Sequence, residues 1–321
     1  MHGPYLSTVT TITCGPPVGP SLMPHSDPYP HPRATAAREA LEAGLRAEHA
    51  DDLQRALHHY ADAAIRAGDD PAIVAQALTR QAGVYRRLSE WDLAASYARR
   101  ARELADGAGL DGLRAEALVA EGNALMCNGQ LDAAAAVYHR LLRVALNDRQ
   151  RGIAMQNIGS IHAQRREFEW AAEAFGESRA LFQSAGYARG EAIATNNLGR
   201  LALDLGNLDE ANSLLCDALT RAREVQDAEL AALARLNLAQ VRVAQGALGA
   251  AGEMVAEAYG HFAVSENRWR QIECLCVLAD VAEAEGQIQH ARIHLERGRA
   301  IALEINARLE LERIEARLAA Q

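Results

Sequence analysis

A self-similarity with a period near forty residues governs most of this chain. Three stretches align without gaps: ATNNLGRLALDLGNLDEANSLLCDAL, ARLNLAQVRVAQGALGAAGEMVAEA and ECLCVLADVAEAEGQIQHARIHLERG. Their small residues Gly199, Ala239 and Ala279 are 40 apart, and earlier copies place Gly159, Gly122, Ala82 and, with a weaker match, Gly44 at the same point. Seven positions later come the glycines Gly129, Gly206, Gly246 and Gly286. Two further on is an apolar residue (Leu131, Leu208, Leu248, Ile288), with Trp91 and Phe168 in the copies that lack the glycine. Three beyond that is alanine: Ala94, Ala134, Ala171, Ala211, Ala251 and Ala291. A fixed period of this length is the signature of stacked supersecondary units, each too small to bury its apolar face alone.

The pattern inside one period predicts a helix, a turn in which glycine takes a left-handed backbone, and a second helix. The small residue lets the two helices approach, and the apolar positions fill the space between neighbouring units. Composition agrees. Apolar residues make up 49% of the chain and aromatics only 5%, so alanine and leucine must build the core, which suits helix packing and argues against a β-sandwich.

These residues resemble the tetratricopeptide repeat family, most strongly in TNNLGRLALDLGNLDEA. The resemblance covers about seven units over residues 35–304. The spacing exceeds that family's usual period and is similar to the repeats of kinesin light chains and of bacterial regulators that use such arrays as sensor modules. It implies an all-α fold, a right-handed superhelical solenoid of antiparallel helix pairs. INARLELERIEARLAAQ, at residues 305–321, has apolar Leu309, Leu311, Ile314 and Leu318 and reads as a final helix capping the stack.

Eight of the nine prolines lie at or before Pro32. That density of missing amide donors predicts an extended, disordered tail over residues 1–34. The five cysteines, Cys14, Cys127, Cys216, Cys274 and Cys276, are odd in number and irregularly spaced, as in reduced cytoplasmic thiols. No apolar run approaches the length of a membrane-spanning helix and no signal peptide is legible, so the expected location is the cytoplasm. The net charge is −9, every basic residue is arginine, and lysine is absent. This excludes a lysine Schiff base and a Walker-type phosphate loop. It also disfavours nucleic-acid and anionic-membrane binding, which need a basic excess.

Motifs suggestive of chemistry are weak. Gly107, Gly109 and Gly112 in GAGLDG match the dinucleotide fingerprint by letter, but the segment before them reads as helix, whereas the fingerprint needs a strand. His290 and His294 share a helix face with no third ligand at motif spacing, and His58 and His59 are adjacent and face apart. No serine, carboxylate pair or cofactor motif supports catalysis, so the reading is a protein that is not an enzyme and holds no metal or cofactor.

The stronger constellation is a row of asparagines. Asn157, Asn197 and Asn237 occupy one position in three successive units, two positions before the small residue. In tetratricopeptide proteins the first helix of each unit lines a concave groove, and asparagine at this point often holds a ligand's main chain. The resemblance therefore implies that role here. The same helix face adds Ser160, Gln164, Arg200, Asp204 and Gln240, with Asn196 beside Arg200. In the second unit it carries Arg80 and Arg87, and in the seventh Asp280.

The expected function is a module that binds an extended peptide or protein tail in this groove, in a signalling or transcription-linked regulator. A scaffold for self-assembly and a small-ligand sensor are the alternatives, and homo-oligomerisation is left open. The same reading takes the asparagines as solvated amides that matter for binding and little for folding.

Overall fold

A computed structural model describes residues 32–320. Those residues form fifteen α-helices, and no strand occurs among them. They divide between Gly186 and Tyr187 into two compact units. The N-terminal unit holds α1 (Pro32–His49), α2 (Leu53–Ala67), α3 (Pro71–Arg87), α4 (Trp91–Gly107), α5 (Asp111–Cys127), α6 (Leu131–Val144), α7 (Asp148–Gln164) and α8 (Phe168–Ser184). The C-terminal unit holds α9 (Ala188–Asp204), α10 (Leu208–Glu224), α11 (Ala228–Ala244), α12 (Leu248–Val264), α13 (Arg268–Ala284), α14 (Ile288–Glu304) and α15 (Arg308–Ala320).

Each odd-numbered helix from α1 to α13 packs against the even-numbered helix that follows it. The odd-numbered helices from α1 to α7 and from α9 to α13 also pack successively on one another within their units, and no comparable packing joins successive even-numbered ones. The first helices therefore form the inner wall of each unit, with the second helices splayed outside.

The small residue has a specific partner. A Cβ built on Gly122 would sit 2.6 Å from the Tyr138 ring, one on Gly159 2.8 Å from Phe175, and one on Gly199 2.7 Å from Leu215. Each partner follows its small residue at one constant offset, and the series continues with Tyr60, Ala98, Val255 and Leu295. All seven are essentially inaccessible to solvent. A fully buried valine, leucine or phenylalanine stabilises by roughly 1.5–3 kcal/mol, so this pairing is a principal tie within each repeat.

The turns show why glycine is absent from two copies. Gly206 closes its turn with φ 79°, and Ser89 and Arg166 take the same left-handed conformation with φ 61° and 63°. A non-glycine residue there costs about 1–2 kcal/mol, which packing of the flanking helices offsets. Polar caps fix several helix starts. Asp70 accepts from the amides of Ala72 and Ile73 at 3.0 and 3.3 Å just ahead of Pro71, whose missing amide is harmless in a first turn.

Two boundaries differ from the sequence reading. Helix α1 begins at Pro32, inside the segment read as tail up to residue 34, because proline is tolerated where the amide would be unpaired anyway. The rest of that tail, residues 1–31, lies outside the described residues. The last helix, α15, begins at Arg308 rather than at residue 305.

Candidate functional site

In the N-terminal unit the inner wall carries polar side chains on α3, α5 and α7. Asn157 is completely buried. Its Nδ2 donates to the Ile153 carbonyl at 3.0 Å, and its Oδ1 has no hydrogen-bond partner within the protein. Ser160, also buried, donates to the Gln156 carbonyl at 2.9 Å, and Gln164 is half-buried one turn further along α7. Arg80 is buried on α3 and acts, with Arg149, on Glu116 of α5. Burial pushes the Glu116 carboxyl above its ordinary range, and the two arginines oppose that shift.

Arg87 makes an ion pair at the end of α3. Its guanidinium is bound to the Asp51 carboxylate and reaches the Glu48 carbonyl at 3.5 Å, tying α3 to the end of α1 and the turn that follows. Arg80 and Arg149 share the Glu116 carboxylate, while Arg87 is engaged with Asp51.

In the C-terminal unit the polar residues interlock. Asn237 on α11 donates to Asn196 on α9 at 3.1 Å and accepts from Arg200 Nη1 at 3.4 Å. Arg200 Nε donates to Asp204 at 3.1 Å. Arg200 Nη1 also lies 3.8 Å from Glu273 of α13, and Glu273 itself accepts from Arg270 at 2.7 Å. One guanidinium thus touches three successive first helices, which requires α9 and α13 to face each other past α11. Gln240 is buried on the same face. Asn197 is half-buried, and its Nδ2 is enclosed without a partner, as is Arg200 Nη2.

The wall ends at Asp280 on α13, which accepts from Arg317 of α15 at 2.7 Å. The same guanidinium reaches Glu283 at 3.0 Å. Burial pushes the Asp280 carboxyl up to about 6, although the Arg317 charge works against the shift.

The amides are not the solvated groups expected. Asn157, Asn196 and Asn237 are each at most 3% exposed, because packing between successive first helices closes the wall over them. The interlocked pair in the C-terminal unit is Asn196 with Asn237, not Asn197 with Asn237. Glu116, Arg149, Arg270, Glu273 and Arg317 escape a reading of the sequence. Only Arg317 carries a legible signal, standing two periods after Asn237.

The remaining motifs resolve simply. GAGLDG spans the end of α4, a turn and the start of α5, with no strand among the described residues to precede it. His290 Nδ1 is paired with Gln287 at 2.7 Å. Among the described residues no group of three histidine, cysteine, aspartate or glutamate side chains is placed to hold a metal ion, and no helix is long and apolar enough to cross a membrane.

No family model matches the chain, and no curated protein matches it in sequence. Solved structures do match it in fold. One is the Rap conjugation gene regulator of the plasmid pLS20, solved in complex with the Phr* peptide, at 17% identity and TM-score 0.68 over 84% of this chain and 74% of that one. A second is the apo quorum sensor NprR from B. thuringiensis, at 16% identity and TM-score 0.67 over 84% of this chain and 77% of that one. A third is the aspartyl phosphate phosphatase F from Bacillus subtilis, at 12% identity and TM-score 0.70 over 84% of this chain and 70% of that one. At these identities the likeness is one of fold: a helical solenoid of the tetratricopeptide type.

Proposed function

We propose that this chain is a peptide-binding regulator that receives an extended peptide against the inner wall of its C-terminal unit and acts by binding, without catalysis or a cofactor, in the cytoplasm. The observation that carries this reading is the set of enclosed polar atoms left without partners on first helices. Asn197, half-buried on α9, has an Nδ2 without a partner, and the neighbouring Arg200 has an Nη2 without one, so both are spare donors on the wall of the C-terminal unit. A buried polar atom without a partner costs about 1–3 kcal/mol, and an extended peptide backbone offers an N–H and a C=O at each non-proline residue. The resemblance in fold to a regulator solved with a peptide, and to a quorum sensor, supports the same reading.

The test is affinity selection from a degenerate heptapeptide pool, with recovered peptides identified by mass spectrometry. The parent protein should enrich a defined peptide set. The N197A variant should bind those peptides about fivefold more weakly, the equivalent of one hydrogen bond of about 1 kcal/mol. Failure of the parent to enrich any peptide, or unchanged affinity in N197A, would end the proposal.

A further inference from the structure

Among the described residues four charged side chains are buried: Arg80 and Glu121 in the N-terminal unit, Arg200 and Arg270 in the C-terminal unit. Three of them are paired. Glu121 accepts from Arg102 at 2.8 Å and from Arg99 at 3.1 Å, Arg200 donates to Asp204 at 3.1 Å, and Arg270 donates to Glu273 at 2.7 Å. Arg80 is 8% exposed, yet it forms no hydrogen bond or ion pair among the described residues. Its charge cannot be shed, because a guanidinium keeps its proton in proteins, whereas a buried lysine or histidine could turn neutral. An enclosed cation left in this condition opposes folding until an anion meets it.

The neighbouring groups do not supply that anion. The Arg80 charge reaches the Tyr60 hydroxyl and the Glu116 carboxyl. Tyr60 donates to Glu48 at 2.7 Å, which engages the Glu48 carboxylate. Glu116 on α5 is shared with Arg149 of α7, so two guanidiniums meet one carboxylate. Arg80 stands two positions before Ala82, the place that Asn157 takes two repeats later, and so belongs to the inner face of α3. Glu116 and Arg149 are only half-buried, which leaves the wall open to solvent beside it.

We infer that Arg80, with the Arg149 charge in support, anchors a carboxylate-binding site on the inner wall of the N-terminal unit. The deficit beside Glu116 is one negative charge, which a carboxylate supplies and a phosphate dianion exceeds. A planar guanidinium also presents two parallel N–H donors to the two oxygens of a carboxylate. An acidic peptide side chain and a small organic acid both carry that group. The site lies wholly in the N-terminal unit, so it neither uses Asn197 nor depends on peptide reception by the C-terminal unit.

Nuclear magnetic resonance of the full chain, isotope-labelled in its arginine nitrogens, reads the site through the Arg80 Nε–H signal, assigned as the one lost in R80Q. The probes are sodium propionate and the blocked pentapeptide acetyl-Gly-Gly-Glu-Gly-Gly-amide. The controls are sodium chloride at equal ionic strength and the glutamine counterpart of the peptide. The Arg80 signal should shift saturably with a carboxylate probe and with neither control. Saturation by the peptide alone assigns the site to an acidic side chain, by propionate alone to a free acid, and by both to the carboxylate group itself. In calorimetric titration R80Q should bind the saturating probe about tenfold more weakly than the parent, and R80K should fall between them. Without ligand, R80Q should melt no lower than the parent, since it removes an unpaired buried charge. An Arg80 signal unmoved by both probes, or moved equally by a control, would overturn the site. Tighter binding of inorganic phosphate than of either carboxylate would overturn it too. A marked fall in the melting temperature of R80Q would make Arg80 a structural tie and equally end the inference.

Discussion

Replacing Asn237 by alanine should cost far more than replacing Asn197, although the two hold the same place in successive repeats. Asn237 is 3% exposed, donates to Asn196 at 3.1 Å and accepts from Arg200 at 3.4 Å. Its removal deletes one net hydrogen bond, worth about 1 kcal/mol, and strips the Asn196 Oδ1 of its donor in a dehydrated wall, which adds about 1–3 kcal/mol. The expected loss is therefore about 2–4 kcal/mol. Asn197 has an enclosed Nδ2 with no partner, so N197A removes an unsatisfied donor and should change stability by less than about 1 kcal/mol in either direction. Urea denaturation followed by far-ultraviolet circular dichroism measures both. Equal losses in the two variants, or an unaltered midpoint for N237A, would show that the interlocked amides do not tie α9 to α11.

Gly122→Ala should destabilise by about 1–3 kcal/mol through overpacking. The new methyl would meet the buried Tyr138 ring, which cannot swing away while its hydroxyl donates to Asn123 at 2.7 Å. Gly176→Ala, on α8 with open space around its Cα, should instead gain up to about 1 kcal/mol, and thermal unfolding of the two variants checks both signs. Thiol labelling followed by peptide mass mapping should modify exposed Cys216 in the native protein. Cys274 and Cys276 should react only after denaturation, because burial raises both thiols, Cys276 to about 12 and Cys274 further, and so suppresses the thiolate.

The repeat is legible because its geometry is written in side-chain size at fixed spacing. Gly122, Gly159 and Gly199 recur at the point where two helices must touch, and that recurrence defines the helix pair. Their partners Tyr138, Phe175 and Leu215 keep a constant offset but differ in chemistry, so a search for identical letters passes over them. Ser89 and Arg166 hide the left-handed turn for the same reason: the backbone requirement persists while the residue that usually signals it changes. The inner face is legible as a register and not as an environment. Burial of Asn157 and Asn237 depends on how closely first helices of different repeats approach, which is a property of the stack and not of any one segment. The Arg200–Glu273 contact joins residues nearly two periods apart, too far for any local pattern to relate them. Register alone does not show that Arg87 is engaged with Asp51, which sits in a turn of the preceding repeat.

The most direct test of the central claim is where a bound peptide lies. Heptapeptides recovered by selection can be resynthesised with a photoreactive benzophenone at each position in turn, crosslinked to the protein, and mapped by mass spectrometry. Reception at the inner wall of the C-terminal unit predicts crosslinks on first helices, to residues of α9 or α11 near Asn197 and Gln240. Crosslinks confined to the outer helices α10 and α12 would contradict it.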